Sequence, residues 1–574
     1  MNLTIFSILK NLGIGLLLVL GIYFIFGLYY EEYTDTIFIA IYKGIFVGKA
    51  DNVVNNYGVL TGLGQLYRYL YTLKNSVPWY GIFSIIYSTM ILCNLIIISH
   101  IFFSKLEIKN SIKNILTIAI PFVLLFHYFA LFQITKASFL LGISVIIILL
   151  FWHYKKIRIS KLAFAYLAFC ILILSMMRAE ALLLLILFCG VTTLCCVGLR
   201  NTINLLVRIY SIPLLLSFIM LFLSTRNYNI ADKEYSQISA YKVGAWDGGI
   251  DTSITHYTSK NDSIKHTAFC NFLISDRDSI NLKLLTKYNT SAYDKKGNFL
   301  SNLTHGFKHR LKHGILTLIT SFRVAGYFTI IMILGFILLF LSLPNKKNRI
   351  KFLFANAIFI ATIGFVSIVL KMEERVLVPL TLGQLLLCYI LLYDYFIFKR
   401  NKTSILLGLC SIFILIQFSR KIEVLIERKA EYNTIVKYHN DIIEKCSNKT
   451  LVINIFSWNI LAPGVLNEDY LTSKLKANNT QILGIDNGYV ALHPSYINYI
   501  TKIAGSAHYV DIISYLKENK NNIYYLSSAK RFDFFTTYCN TIYSANLVPE
   551  TVQTYNGIKS NITGEVNFYL YKYR

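Results

Sequence analysis

Charge is what this sequence has little of, and acid is the scarcer sign. Of 574 residues 15% are charged, and 30 Asp and Glu stand against 56 Lys and Arg. A soluble chain of this size carries about a quarter charged residues. With 55% hydrophobic residues and a mean hydropathy of +0.52, a wholly soluble protein is excluded. Several apolar runs exceed the roughly 18 residues that cross a bilayer. Familiar chemical signatures are missing too. The ten cysteines include no Cys-x-x-Cys and no metal spacing, and Cys195-Cys196 lies in an apolar run. Most read as small core residues; Cys446 and Cys539, in the tail, are either a disulfide pair or free buried thiols. No Gly-x-Gly-x-x-Gly follows a strand and no Gly-x-x-x-x-Gly-Lys occurs, which argues against a dinucleotide and against a P-loop. No local nucleophile motif is present. The net charge of +26 comes without a basic stripe interleaved with stacking aromatics, so nucleic acid is not the expected partner. No internal repeat supports an inverted-repeat transporter. The first span lacks a small-residue cleavage pattern and reads as a retained anchor.

Hydropathy predicts about eleven spans, near 11–30, 79–103, 115–133, 138–152, 162–177, 181–198, 209–224, 325–343, 352–370, 376–397 and 403–418. Basic residues fall in alternate connections: Lys105, Lys109 and Lys113; Lys155, Lys156, Arg158 and Lys161; Arg200 and Arg208; Lys346, Lys347, Arg349 and Lys351; Lys399, Arg400 and Lys402. By the positive-inside rule these face the cytoplasm, so the N-terminus is inside and the C-terminus outside. The fold class expected is an α-helical polytopic membrane protein with a C-terminal extracytoplasmic α/β domain. Residues 1–418 form the membrane domain, with outer loops 31–78 and 225–324, and residues 419–574 the tail. In the first loop Ile37, Ile41 and Ile45, then Leu60, Leu63, Leu66, Tyr67 and Leu70, suit two amphipathic helices at the interface. In the tail, strands near 451–455, 482–485, 523–526 and 565–573 alternate with helices and predict a mostly parallel, Rossmann-like sheet.

Charges at membrane depth are costly unless paired or hydrated, so they mark candidate sites. Glu31, Glu32 and Asp35 follow the first span. Lys136 lies between spans three and four. Arg178 and Glu180 sit in the tight Met177–Ala181 connection, Arg323 precedes the eighth span, and Lys371, Glu373, Glu374 and Arg375 join spans nine and ten. Together they would ring one outward-facing cavity. Arginine forks suit phosphate oxygens, and a carboxylate such as Asp35 can take a proton from an attacking hydroxyl. Glu31 or Glu32 could share that role or bind a divalent cation through oxygen ligands; no cofactor is otherwise indicated. His305, His309 and His313 recur every four residues, but Lys308, Arg310 and Lys312 among them favour an interfacial basic helix over a zinc site. Trp246, Asp247 and Asp251 around Gly248-Gly249 read as a turn, with a sugar-contacting loop as the other reading.

One apolar span, the acids of Glu31-Glu32-Tyr33-Thr34-Asp35, a loop with two amphipathic helices, and Val77-Pro78-Trp79-Tyr80-Gly81 leading into the second span together resemble the integral-membrane glycosyltransferases of the GT-C superfamily. The connections Met177-Arg178-Ala179-Glu180 and Glu373-Glu374-Arg375-Val376-Leu377-Val378-Pro379 are similar to bends in that superfamily. The resemblance implies a bacterial inner-membrane enzyme. It would transfer a sugar from a polyprenyl-phosphate donor to a glycan, lipid or protein acceptor on the outer face. It places the catalytic acid on Asp35, with Glu31 or Glu32 as competitors. The chain departs from the pattern of adjacent acids, since Thr36 follows Asp35. A glycolipid flippase and a non-catalytic envelope assembly protein are the alternatives.

Overall fold

The computed structural model describes residues 2–30, 33–45, 47–51, 61–104, 109–154, 156–231, 259–270, 276, 278–280, 283–284, 307–369, 374–396, 400–453, 464–467, 470–484, 494–560 and 564–574. The long apolar runs become helices, because a helix satisfies every backbone group within its own segment. In chain order, α1 (Ile5–Phe26) leads to α2 (Tyr33–Tyr42) and α3 (Thr61–Leu73) in the first loop. Then follow α4 (Trp79–Ser104), α5 (Asn110–Ala130), α6 (Ile134–His153), α7 (Lys161–Met177) and α8 (Ala179–Val197).

Among the described residues eight helices are long and apolar enough to cross a bilayer, and a bent pair makes a ninth. This makes a multi-pass helical membrane protein, with fewer such helices than the eleven expected. The three differences have distinct causes. α7 has only 17 residues. The span expected at 325–343 is one arm of a pair, Gly314–Ala325 and Tyr327–Leu341, bent by 90° at Gly326. The run at 403–418 is the first part of a single 47-residue helix, Arg400–Cys446, which continues unbroken into the tail. The helix expected to reach 397 ends at Leu391 in a short 3₁₀ turn, Tyr393–Tyr395.

Two small parallel pairings mark the two ends of the bundle. β1 (Asn2–Leu3) pairs with β4 (Arg158–Ile159), and β2 (Tyr29–Tyr30) with β3 (Leu131–Phe132). Since α1 runs from β1 to β2, the pairings lie at opposite ends. α6 and the Glu374–Leu391 helix run parallel and are tied at both ends. Lys136 meets Glu374 at 3.3 Å at the β2 end, and Lys156 meets Asp394 at 2.5 Å at the other. α6 is about 30 Å long at 1.5 Å per residue, and nearly all of its side chains are buried.

The first loop corrects one expectation. α2 does not lie at the interface: Phe38, Ile39, Ala40, Ile41, Tyr42 and Lys43 are all buried. A helix apolar on every side is a core element. α3 is amphipathic, but it buries Leu63, Tyr67 and Tyr71 and exposes Leu66.

The tail holds one five-stranded sheet, in the order β6 (Gln481–Gly484), β5 (Thr450–Ile453), β7 (Ile523–Ser528), β9 (Gly564–Tyr573), β8 (Pro549–Ser560). β6, β5 and β7 are parallel, whereas β9 runs antiparallel to β7 and to β8. The sheet is therefore mixed, because the last two strands form a hairpin and the sequence reading found only one of them. Cys446 and Cys539 are free and buried.

The tail packs on the β2 end. The Val465 amide donates to the Leu28 carbonyl at 2.9 Å, Lys429 Nζ to the Ile25 carbonyl at 2.7 Å, and Ser495 Oγ to Asp51. Gly81 in the first turn of α4 lets the Val465 carbonyl come close: a Cβ there would stand 1.9 Å from that oxygen.

Candidate functional site

Asp35 lies in the first turn of α2 and is wholly buried. A carboxylate in a first turn faces the positive end of the helix dipole. The Tyr80 hydroxyl donates to Asp35 Oδ1 at 2.5 Å. Tyr80 is held in turn: the Tyr71 hydroxyl accepts from its backbone amide at 2.9 Å. Tyr67 and Tyr87 share a hydrogen bond of 3.0 Å beside it, and the Tyr67 and Tyr80 rings stand 5.2 Å apart. Burial pushes the Tyr42 and Tyr67 hydroxyls well above the usual phenol range, so both stay protonated. Lys43, also buried, donates to the Asn75 carbonyl at 3.2 Å and stands 5.3 Å from the Tyr71 ring centre.

A second group gathers at the corner between α5 and α6. Gln133 caps α6 by accepting from the Lys136 amide. Lys136 is 2% exposed, pairs with Glu374, and lies 4.5 Å over the Tyr128 ring. The Tyr128 hydroxyl donates to Glu374 Oε1 at 2.5 Å. Arg178 is the single residue between α7 and α8. Its guanidinium donates to Thr135 Oγ1, and its Nε lies 3.6 Å from Glu180 Oε2. Both Glu180 carboxylate oxygens are shielded and receive no hydrogen bond among the described residues. A buried polar atom left in that condition calls for an explanation, such as a ligand or a proton.

The two groups are joined through the β2–β3 pairing. The Tyr80 ring lies 5.8 Å from Tyr30 on β2 and meets Phe132 on β3 edge-on at 6.3 Å. Phe132 directly precedes the corner residues Gln133, Thr135 and Lys136. Asp35 and the corner group of Lys136, Arg178, Glu180 and Glu374 thus lie at the same end of the bundle, where the tail packs, linked by the Tyr80–Phe132 ring contact and the chain that follows Phe132. Arg375 is partly buried in the same first turn as Glu374. Arg323 is exposed on the Phe307–Ala325 helix and makes none of these contacts. Glu31, Glu32, Lys371 and Glu373 lie outside the described residues, as do His305 and the turn at Trp246, Asp247 and Asp251. Among the described residues no three His, Cys, Asp or Glu side chains group as metal ligands.

Sequence reasoning missed Tyr80, Tyr128 and Thr135, the groups that hold the charged residues. Tyr80's partner Asp35 is 45 residues away, and no local pattern reports such a pairing. A second buried carboxylate was also missed. Asp276 Oδ2 accepts from both Tyr538 and Tyr543 at 2.5 Å, and Asp278 accepts from the Tyr509 amide at 2.9 Å and contacts His508 Nδ1 at 2.9 Å. These contacts clasp part of the second outer segment to the tail. Burial raises the Asp276 carboxyl above its ordinary value, against the hydrogen bonds from the tyrosines and the Ser279 amide. Compared with family models, with curated proteins and with solved structures, the chain has no match in any of the three.

Proposed function

We propose that this chain is a membrane glycosyltransferase of the GT-C type, using a polyprenyl-phosphate sugar and an envelope acceptor at the β2 end of the bundle. One observation carries the reading: a buried carboxylate, Asp35, lies at the same end of the bundle as two basic side chains, Lys136 and Arg178, one ring contact (Tyr80 on Phe132) and a few residues of chain away from them. In the reaction an acceptor hydroxyl attacks the anomeric carbon, the bond from that carbon to the phosphate oxygen breaks, and polyprenyl phosphate leaves. Asp35 takes the hydroxyl proton, and Arg178 with Arg375 meets the phosphate. Glu180 is the competing base, because its oxygens lack donors among the described residues. On this reading α7, Tyr327–Leu341 and the first part of Arg400–Cys446 cross as well as the eight helices long and apolar enough to do so, and an odd number of passages from an inner N-terminus leaves the tail outside. The end rich in Lys109, Lys113, Arg158 and Lys161 then faces the cytoplasm, which supports chemistry on the outer face.

A second reading rests on a different observation. Asp35 is fully buried, and Lys136 and Arg178 already have carboxylate partners. That arrangement suits a non-catalytic envelope protein whose tail docks a partner. Purified protein in vesicles, given labelled polyprenyl-phosphate hexoses, separates the readings. Asp35→Asn should lower release of polyprenyl phosphate at least 100-fold while donor binding persists. Absence of any turnover by the parent chain across hexose donors and glycan, lipid and peptide acceptors would leave the second reading standing. Unchanged turnover in Asp35→Asn, with loss in Glu180→Gln, would move the base to Glu180.

A further inference from the structure

The Phe307–Ala325 helix has its large residues on the wrong side for a protein facing water. Its inward face is Gly314, Leu318, Ser321 and Ala325, at spacings of four, three and four, and Gly314, Ser321 and Ala325 are buried. That face packs on the Lys346–Val369 and Glu374–Leu391 helices. Small residues at such a contact let backbones come close, as membrane helices do. The outward face carries Ile315, Leu316, Ile319, Phe322 and Val324, exposed by 37–60%. A contiguous apolar face of this size marks a surface that something covers.

Three observations say what covers it. The Gly314–Ala325 stretch meets Tyr327–Leu341 at 90°. If the second arm crosses the bilayer, the first lies in its plane. Gly326, at φ +56°, makes the corner, its amide reaching back to the Phe322 and Arg323 carbonyls. Groups suited to headgroup depth stand beside the corner: Tyr327 stacks on Phe413, and Arg420 lies 4.7 Å over the Tyr327 ring. Last, Phe307–Ala325 contains Lys308, Arg310, Lys312 and Arg323 and no acid. The first three stand in the turns before the mostly apolar stretch 314–322, and Arg323 lies in the last turn beside the Gly326 corner.

We infer that Phe307–Ala325 is an in-plane docking arm for anionic lipid at the β2 end of the bundle. Its apolar outward face sits among acyl chains, and its basic first turns meet headgroup phosphates. This holds whether or not the chain is a transferase. It also accounts for a basic block at the end that the positive-inside rule would leave poor in cations.

The test uses the full chain in vesicles and a membrane-impermeant maleimide. Ile315→Cys, Ile319→Cys and Phe322→Cys are compared with Lys517→Cys, an exposed position in the tail at the same end; the parent chain gives the baseline of native thiols. In vesicles of 3:1 phosphatidylcholine to phosphatidylglycerol, the three arm cysteines should react at least tenfold more slowly than Lys517→Cys. In pure phosphatidylcholine they should react several-fold faster than in the mixed vesicles. The triple variant K308Q/R310Q/K312Q should remove that difference between lipids. Arm cysteines as reactive as Lys517→Cys would overturn the in-plane placement. Protection equal in both lipids would overturn the headgroup assignment.

Discussion

Asp276 shows how one carboxylate can hold two segments together and make the joint sensitive to pH. It lies in the second outer segment, while the Tyr538 and Tyr543 hydroxyls that donate to it belong to the tail. Its carboxyl is raised in the folded chain, chiefly by burial. A raised acid binds protons more tightly folded than unfolded, so its contribution to stability is greatest below the ordinary carboxylate pKa. That contribution falls as pH climbs through the window up to the raised value, and is flat above it. Asp276→Asn removes the titration and keeps polar partners: its oxygen can hold the Ser279 amide and its NH₂ can donate to the tyrosine oxygens. Hydrogen exchange across the Ala529–Tyr543 helix should therefore be less pH-dependent in Asp276→Asn than in the parent, once intrinsic exchange rates are divided out. Asp276→Ala strands the buried Tyr538 hydroxyl, while the half-buried Tyr543 hydroxyl keeps Ser279 Oγ at 3.0 Å, and should cost about 1–3 kcal/mol, read as faster exchange in the same helix. Equal pH dependence in the parent and Asp276→Asn would remove Asp276 as the source.

Pairs of elements are locked by partners that the sequence does not pair. Lys136 on α6 and Glu374 at the start of the Glu374–Leu391 helix are 238 residues apart. Lys136 is almost completely buried and Glu374 is 16% exposed. Removing one member of such a pair leaves a charge without compensation and costs about 3–5 kcal/mol; replacing both by apolar groups is often neutral. Lys136→Met should therefore lower the unfolding midpoint in detergent markedly. Lys136→Met with Glu374→Leu and Tyr128→Phe, which also removes the hydroxyl that donates to Glu374, should recover most of the loss, and a triple variant no better than Lys136→Met would refute the pairing. What was legible at this scale follows the same logic. Length and apolarity announced α1, α4, α5, α6 and α8, because a bilayer span is a local property of about 20 residues. Asp35, Lys136, Arg178, Glu180 and Glu374 stood out because charges at membrane depth are conspicuous. Their connection was hidden, because it runs through Tyr80 on α4 and the distant stretch from Phe132 to Thr135. The 90° bend was hidden too, since the residues on both sides of Gly326 are apolar and hydropathy does not report direction. The first strand of the β8–β9 hairpin went unread: Pro549–Ser560 carries Glu550, Asn556 and Lys559 and lacks a clean apolar alternation.

At the scale of the whole molecule, the question is how a soluble sheet is held to one end of a helical bundle. Part of the attachment is backbone to backbone. The Val465 carbonyl lies against Gly81 so closely that a Cβ would stand 1.9 Å away, while the Val465 amide donates to the Leu28 carbonyl at 2.9 Å. Gly81→Ala pits two effects against each other. Alanine favours a helix over glycine by about 1 kcal/mol, and overpacking costs about 1–3 kcal/mol. Here the clash wins, because the obstructing atom is a backbone oxygen that no rotamer change can withdraw. Gly190→Ala in α8 is the control: nothing lies within 4 Å of its Cβ position, so only the helix-favouring effect operates. Gly81→Ala should speed exchange of the Val465 amide roughly five- to 150-fold for a cost of about 1–3 kcal/mol, with little change at the centre of α6. Gly190→Ala should leave Val465 unchanged. If Val465 exchanges at the parent rate in Gly81→Ala, the Gly81–Val465 approach does not fasten the tail to the bundle. The attachment would then rest on the side-chain contacts from Lys429 and Ser495, which hold the same end independently.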